Sequence, residues 1–218
     1  MSKSNSRFIV MAAIAGLLAF VGDFLVTIVL GFFYPDYNHL ELVMSELGTF
    51  QSPVATWINL WWIIGGIFFC VFAVGFRMAF AAHGKSATCV MVLIVLFGLG
   101  AWICGGLFPM EPGGLETTLA GKLHGMCGGL GYLAIAFVPL ASLAIFPRKR
   151  SPRLYWLSMG VFVLGLASFV LFVASEDVSS AGNLLSYAGL WQRLFLLDHY
   201  AYLGVISALM IRSARRSA

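Results

Sequence analysis

The sequence predicts an all-α, polytopic membrane protein with six transmembrane helices in a single bundle over residues 1–218. Of the 218 residues, 61% are hydrophobic and only 10% are charged, which is far from the composition of a soluble domain. The chain contains six apolar runs, each close to the ~20 residues that a helix needs to cross ~30 Å of hydrocarbon. Most charged residues lie between these runs.

We interpret the six apolar runs, in chain order, as six transmembrane helices. They are Phe8 to Phe33, Ile58 to Ala82, Ala87 to Phe108, Met126 to Phe146, Leu154 to Ala174 and Leu194 to Ile211. The first run is too long for a signal-peptide core and carries Asp23 where a small-residue cleavage site is expected, so we expect it to remain as a helix. Six spans leave no room for a separate globular domain.

The cations alternate between the ends of the predicted helices. Most of them fall on one side: Lys3, Arg7, Arg77, Lys85, Arg148, Lys149, Arg150, Arg153, Arg212, Arg215 and Arg216. Only Lys122 and Arg193 fall on the other side. The positive-inside rule therefore predicts that both termini are cytoplasmic, in the plasma (inner) membrane. We interpret the basic segments as topology signals that favour anionic headgroups rather than as a nucleic-acid surface.

The acids lie on the opposite side from most cations. All nine fall in or beside the three external connections: Asp23, Asp36, Glu41, Glu46, Glu111, Glu116, Glu176, Asp177 and Asp198. We therefore expect any polar chemistry of the protein near its outer face.

The first external connection, Tyr34 to Trp57, predicts a short helix at the membrane interface. Asn38 can cap its start, Gly48 can end it, and an apolar stripe follows helical spacing: Leu40, Val43, Met44 and Leu47. Such a helix is expected to lie on the membrane surface or over the bundle. His39 and Glu46 are seven residues apart, so both can point into the bundle; alternatively they mark its solvated face.

The second external connection holds Glu111 between Pro109 and Pro112. His124 follows at the outer start of the fourth helix, beside a ridge of small residues at four-residue spacing: Gly121, Gly125 and Gly129. Such a ridge lets another helix backbone approach closely. It fits a contact within one chain as well as a dimer, so the oligomeric state stays open.

Asp23 and Asp198 fall within the apolar zone of the outer half of the membrane. An ionised carboxylate near a helix centre costs about 2.5 to 3.5 kcal/mol, so each needs a partner, a proton or water. Arg193 is the strong cation at this depth. Because residues five apart on a helix face different directions, we expect Arg193 to pair with Asp23, Glu46 or Glu111 rather than with Asp198.

These residues predict an outward-facing polar pocket that binds or processes a lipid headgroup or small amphiphile. The candidate binding residues are Arg193, Asp23, Glu111 and Gln192. The candidate acid/base residues are His124, Glu46 and Asp198. A metal site, with Zn²⁺ as the default ion, would use three histidines: His39, His124 and His199. No diagnostic ligand spacing supports this metal, and a satisfied buried network or a metal-free headgroup pocket are the alternatives.

Three function classes remain open for such a pocket. The first is a metal-assisted or acid/base hydrolase or transferase. Ser45 could be the nucleophile of such an enzyme, but its hydroxyl is more simply explained as a solvated group. The second is a non-catalytic structural or accessory subunit with a buried ion-pair network. An ion-coupled transporter is third, because the inner halves of the helices are apolar. Cys104 and Cys127 fit either a disulfide or two packed thiols.

Four short motifs carry a family resemblance. They are Tyr34-Pro35 followed by Ser45-Glu46-Leu47-Gly48; Phe108-Pro109 with Glu111 nearby; Leu123-His124-Gly125; and Gly189 with Gln192-Arg193. On these residues the sequence resembles the bacterial and archaeal six-helix membrane proteins built on domain of unknown function 998. The resemblance implies six helices and a shared polar outer site, and it implies no reaction.

Overall fold

Six long helices make up most of the computed structural model, which describes residues 3–114, 116–176 and 184–216. They are α1 (Lys3–Gly31), α2 (Ala55–Ala79), α3 (Ala81–Leu107), α4 (Leu119–Ser142), α5 (Pro152–Glu176) and α6 (Ala188–Arg216). Each is long and apolar enough to cross a membrane, which confirms the prediction of an all-α, six-span protein. The described part of the chain contains no strand.

The helices alternate in direction between two ends of the bundle. One end carries the connections 32–54 and 108–118, the end of α5 and the start of α6, and we call it the loop end. The other end carries the start of α1, the end of α6 and the short connections after α2 and α4, and we call it the terminal end. Asp177, one of the predicted external acids, lies outside the described residues.

The six helices pack in chain order into a closed ring. Each contacts the next, and α6 returns to contact α1. Aromatic side chains fill the middle: the ring of Phe69 lies 5.2 Å from that of Phe20, 4.9 Å from Phe97 and 5.9 Å from Tyr200, measured between centroids. Phe69 and Phe97 are fully buried. This packing fixes the rotation of each helix about its own axis, and that rotation decides where its polar side chains point.

Close contact between α3 and α4 depends on glycines other than the predicted ridge. A Cβ on Gly131 would lie 2.6 Å from the backbone nitrogen of Ala101, and one on Gly100 would lie 2.5 Å from the carbonyl oxygen of Cys127. Gly129 of the predicted ridge instead borders open space. Beside this contact, Cys104 and Cys127 interact as free thiols.

The first loop differs from its prediction. Only Met44–Gly48 is helical, as one short 3-10 helix, and the residues before it form turns. Asn38 caps the turn that follows it, because its Oδ1 accepts a hydrogen bond from the backbone N–H of Leu40 at 3.0 Å. The backbone of residues 40–44 bonds both within the loop, where the N–H of Leu42 donates to the carbonyl oxygen of Asn38 at 2.8 Å, and to α6.

Candidate functional site

A small cavity lies near the loop end, enclosed by α1, α2, α3, α4 and α6 and covered by Met44 and Ser45 of the first loop. Its volume is about 40 Å³. That is enough for water or a small polar group, and far less than the ~300–1,000 Å³ of a site that encloses a whole ligand. The cavity therefore fits the tip of a molecule.

Two helices each present one row of side chains to the cavity. The rows are His124, Gly128 and Tyr132 on α4, and Gln192, Leu196 and Tyr200 on α6. Within each row the residues are four apart, which places them on one helix face. On α3, a π-helical segment over Gly98–Cys104 brings Trp102 to the same cavity. Such π segments are frequent at functional sites.

Asp23 of α1 is the charged residue of the cavity wall. Its side chain is only 2% exposed. The hydroxyl of Tyr200 donates to Asp23 Oδ2 at 2.9 Å, but Oδ1 is buried without a hydrogen-bond partner. The side chains of Trp61 and Trp62 also approach this carboxylate, and Trp62 and Trp102 line the cavity beside it. A buried oxygen with unused acceptor capacity beside a cavity is the arrangement expected where a ligand or water donates.

His124 is oriented by the second connection. Its Nδ1 lies 2.9 Å from the carbonyl oxygen of Phe108. A carbonyl only accepts, so Nδ1 carries the proton and, in the neutral ring, Nε2 keeps its lone pair. His124 therefore brings a potential proton acceptor to the cavity.

Gln192 ties the first loop to the bundle above the cavity. Its Oε1 accepts from the backbone N–H of Met44 at 2.6 Å, and its Nε2 donates to the hydroxyl of Tyr132 at 2.9 Å. The side chain is 2% exposed. Because both ends of the amide are bound within the protein, Gln192 positions the loop and the tyrosine.

Arg193 has a different role from the predicted ion pair. Its Nη1 donates to the carbonyl oxygens of Leu42 and Gly189 at 3.1 and 3.0 Å, and its Nη2 donates to the hydroxyl of Tyr37 at 2.7 Å. Nη2 also lies 3.3 Å from His39 Nδ1. The expected carboxylate partner was wrong: among the described residues, loop carbonyls and an aromatic hydroxyl take these donors.

Backbone hydrogen bonds complete this attachment, which we call the loop clamp (residues 37–44 on Gly189–Arg193). The N–H of Leu190 donates to the carbonyl oxygen of Leu40 at 2.8 Å, and that of Gly189 to Glu41 at 3.2 Å. The loop thereby accepts from the N–H of Gly189 and shares that of Leu190 with the carbonyl oxygen of Tyr187, at the start of α6 where helical partners are missing. A Cβ on Gly189 would overlap the carbonyl oxygen of Leu42, so glycine allows the close approach.

Residues 13–209 match the model of a family described as a protein of unknown function, DUF998. The chain belongs to this family. No curated protein and no solved structure matches it. Together with its six apolar helices, membership identifies an integral membrane protein of a family without an assigned function.

The motif residues of this DUF998 protein cluster around the cavity and the clamp. Gly189, Gln192 and Arg193 form the α6 side of the clamp, and Ser45 and His124 line the cavity. Gly48 ends the 3-10 helix against α2, where a Cβ would lie 2.5 Å from Asn59 Oδ1. The motifs therefore serve one region of the fold.

Glu46 and Glu111 brace loops and do not line the cavity. Glu46 Oε1 accepts from the backbone N–H of Gly113 at 3.0 Å and so joins the first and second connections. Burial raises the pKa of the Glu46 carboxyl. Glu111 accepts from the hydroxyls and backbone N–H groups of Thr117 and Thr118, which lower its pKa to about 2.

Asp198 and His199 of the DUF998 protein face away from the cavity. A Cβ on Gly165 of α5 would lie 3.1 Å from Asp198 Oδ2 and closer still to the His199 ring. His199 Nδ1 donates to the carbonyl oxygen of Phe195 at 2.8 Å. Since consecutive residues on a helix point about 100° apart, Tyr200 reaches the cavity while its neighbour packs against α5.

The three predicted zinc ligands are consequently not brought together. His39 lies at the clamp, where burial and the nearby Arg193 charge lower its pKa; His124 bonds to the second connection; and His199 packs against α5. In the part of the chain that the structure describes, no three His, Cys, Asp or Glu side chains can hold one metal ion.

Several cavity residues were not predicted from the sequence. They are Tyr132, Tyr200, Trp62, Trp102 and Met44. A signal was present for the two tyrosines, because each stands eight residues after a predicted site residue: Tyr132 after His124, and Tyr200 after Gln192. Trp62 carries no such signal, since it is one of several aromatic residues in an apolar helix.

Proposed function

We propose that this membrane protein binds the polar headgroup of a lipid, or of a small amphiphile, in the cavity at its loop end. The positive-inside pattern supports a loop end that faces outward from the plasma membrane, with both termini cytoplasmic. In this position the cavity lies in the outer half of the membrane, at a depth similar to that of the lipid headgroups of the outer leaflet.

The partnerless oxygen of Asp23 is the observation that carries the proposal. A carboxylate in the apolar zone is expensive unless something donates to it. Tyr200 donates to Oδ2 of Asp23, whereas Oδ1 has only the looser approach of Trp61 and Trp62 and no hydrogen bond of good geometry. A bundle that needed Asp23 only for packing would gain by replacing it with an apolar residue.

The first loop supplies a means of entry. Met44 and Ser45 line the cavity, and the loop clamp holds them by hydrogen bonds while Met44 and Leu47 are buried in the apolar core. Entry of a ligand therefore requires the first loop to move at the cost of both kinds of contact. The small closed volume supports a ligand whose tip enters while the rest stays in the membrane.

Acid/base chemistry on the bound headgroup is a second candidate function. The lone pair that the Phe108 contact leaves on His124 Nε2 favours it. His124 is the predicted acid/base residue that lies at the cavity, whereas Glu46 bonds to the second connection and Asp198 lies against α5. Turnover that fails in a His124→Gln variant with normal ligand binding would support this function over binding alone.

Lipid analysis of purified Asp23→Asn tests the proposal. The variant keeps the side-chain size and removes the charge. Asp198→Asn is the matched control, because Asp198 is also an acid in the membrane zone but lies outside the cavity. We expect mass spectrometry to find a lipid or amphiphile retained by the wild type and by Asp198→Asn, and about tenfold less in Asp23→Asn.

A purely structural role gives the opposite pattern. The proposal fails if the wild type retains no lipid or amphiphile after delipidation, or if Asp23→Asn retains as much as the control. In either case a lower thermal-unfolding midpoint for Asp23→Asn would assign the carboxylate to a buried network in an accessory subunit.

A further inference from the structure

Building on the proposed function, we infer that the group entering the cavity is a primary ammonium, held by Asp23 among the surrounding aromatic rings. Nothing in family membership names a ligand. The inference depends on which polar atoms at the cavity are already bound and which are not.

The unused hydrogen-bonding capacity of Asp23 is that of an acceptor. Its Oδ1 is the one buried side-chain atom without a geometrically good hydrogen bond, among those described, that belongs to a lining residue. The tryptophan side chains beside it approach the carboxylate without meeting that geometry. Gln192 has its donor and its acceptor bound within the protein. A ligand group that donates hydrogen bonds therefore matches the Asp23 carboxylate better than one that only accepts them.

Charge selects among such donors. Asp23 is negative when ionised, and the nearest cation, Arg193, acts on it through space without a hydrogen bond. The donors of Nη1 and Nη2 of Arg193 point to the loop clamp. A phosphate or carboxylate would meet the Asp23 charge without a free guanidinium fork, so an anion is disfavoured. An ammonium would neutralise the carboxylate directly.

The walls and the volume also favour an ammonium. Trp62, Trp102 and Tyr200 line the cavity, and aromatic rings attract cations when water is excluded. A primary ammonium carries three N–H donors on one compact atom. The volume of about 40 Å³ suits such a group, whereas a trimethylammonium group is several times larger. Its carrier is either the ethanolamine headgroup of a lipid or a soluble amine.

The test compares lipids that differ only in the headgroup amine. Wild-type protein is placed in phosphatidylcholine nanodiscs that contain equal amounts of phosphatidylethanolamine, N-acetyl phosphatidylethanolamine and phosphatidylglycerol with the same acyl chains. Lipid retained through delipidation is measured by mass spectrometry. We expect the wild type and Asp198→Asn to retain the free amine at least about tenfold over the other two, and Asp23→Asn to lose this preference.

Equal retention of the N-acetylated and free-amine lipids by the wild type would overturn the inference while leaving headgroup binding intact. Because that arm needs no variant, it holds even if Asp23→Asn fails to fold. Retention of none of the three lipids, together with no response to a soluble amine, would instead count against the proposed function.

A second arm separates the two sources of the amine. Propylamine is compared with propanol, which has the same chain without the charge. A rise in the thermal-unfolding midpoint with millimolar propylamine but not propanol, in protein that retains no ethanolamine lipid, would assign the ammonium to a soluble amine. If propylamine has no effect and no lipid preference exists, the inference is wrong.

Discussion

At the loop end Asp23 and Gln192 are buried inside the bundle, whereas at the terminal end the cations are exposed around an open space. The loop-end cavity measures about 40 Å³ and contains Asp23 at 2% exposure. The terminal-end cavity measures about 640 Å³ and is lined by Arg150, Arg212 and Arg216, all exposed.

This difference separates two uses of charge in one membrane protein. A buried charge depends on the exact atoms around it, because no water replaces a lost partner. An exposed arginine at a membrane boundary is hydrated, acts at a distance and shares its task with neighbouring cations. Substitutions at the loop end should therefore be costly and specific, and those at the terminal end mild and interchangeable.

Replacing Arg193 should have the largest effect on stability. Arg193→Met removes the donors to Leu42 and Tyr37 and detaches the first loop from α6. We expect a loss of about 3 kcal/mol, as for hydrogen bonds from a charged group. Thermal unfolding in dodecyl maltoside measures it. Arg212→Met is the terminal-end control and should change stability by no more than about 0.5 kcal/mol; equal losses in both variants would contradict the comparison.

Adding one methyl group at the clamp should have the next largest effect. In Gly189→Ala the new Cβ overlaps the carbonyl oxygen of Leu42 and lies 2.6 Å from that of His39. The loop must shift, at a cost of about 1–3 kcal/mol. Gly204→Ala on the same helix is the control, because no atom lies within 4 Å of its Cβ.

The Gly204→Ala control should be neutral or gain up to about 1 kcal/mol, since alanine favours a helix over glycine. The two variants are compared by thermal unfolding and by proteolysis within residues 32–54. A Gly189→Ala protein as stable and as resistant as Gly204→Ala would show that the clamp does not require close approach.

The smallest effect should appear on acidification. The hydroxyls and N–H groups of Thr117 and Thr118 lower the pKa of Glu111 from 4.5 to about 2. A carboxyl with a lowered pKa stabilises the fold above pH 4.5, and this contribution is lost as the pH falls towards 2. The wild type should therefore lose more stability than Glu111→Gln between pH 5 and 3. If the thermal-unfolding midpoints of the wild type and Glu111→Gln fall equally over this range, the Glu111 carboxylate does not stabilise the second connection.

The helices were predictable from the sequence because apolar length alone decides whether a segment can span hydrocarbon. Their ends were less so: α6 begins at Ala188 rather than Leu194, and α4 at Leu119 rather than Met126. These helices continue past their apolar runs because helical hydrogen bonding also satisfies the backbone of polar and glycine residues. In the first loop the structure contains a short helix only over Met44–Gly48, and the residues before it also bond to α6.

The candidate site was only half predictable. Asp23, His124 and Gln192 were recognised as site residues and do share the cavity. Asp198 was equally plausible from its depth, yet Tyr200, two residues later, faces the cavity instead. Arg193 was recognised as functionally important, but the choice of backbone carbonyls as its partners followed no sequence pattern.

The sequence by itself determined the class of protein, the number of spans and the depth of each polar residue, because a helix advances 1.5 Å per residue along the membrane normal. Only the tertiary structure decided which of these residues meet. That choice depends on the rotation of each helix about its axis, which the packing of residues such as Phe69 and Gly131 sets. A few tens of degrees of rotation separate a cavity residue from one that packs against the next helix.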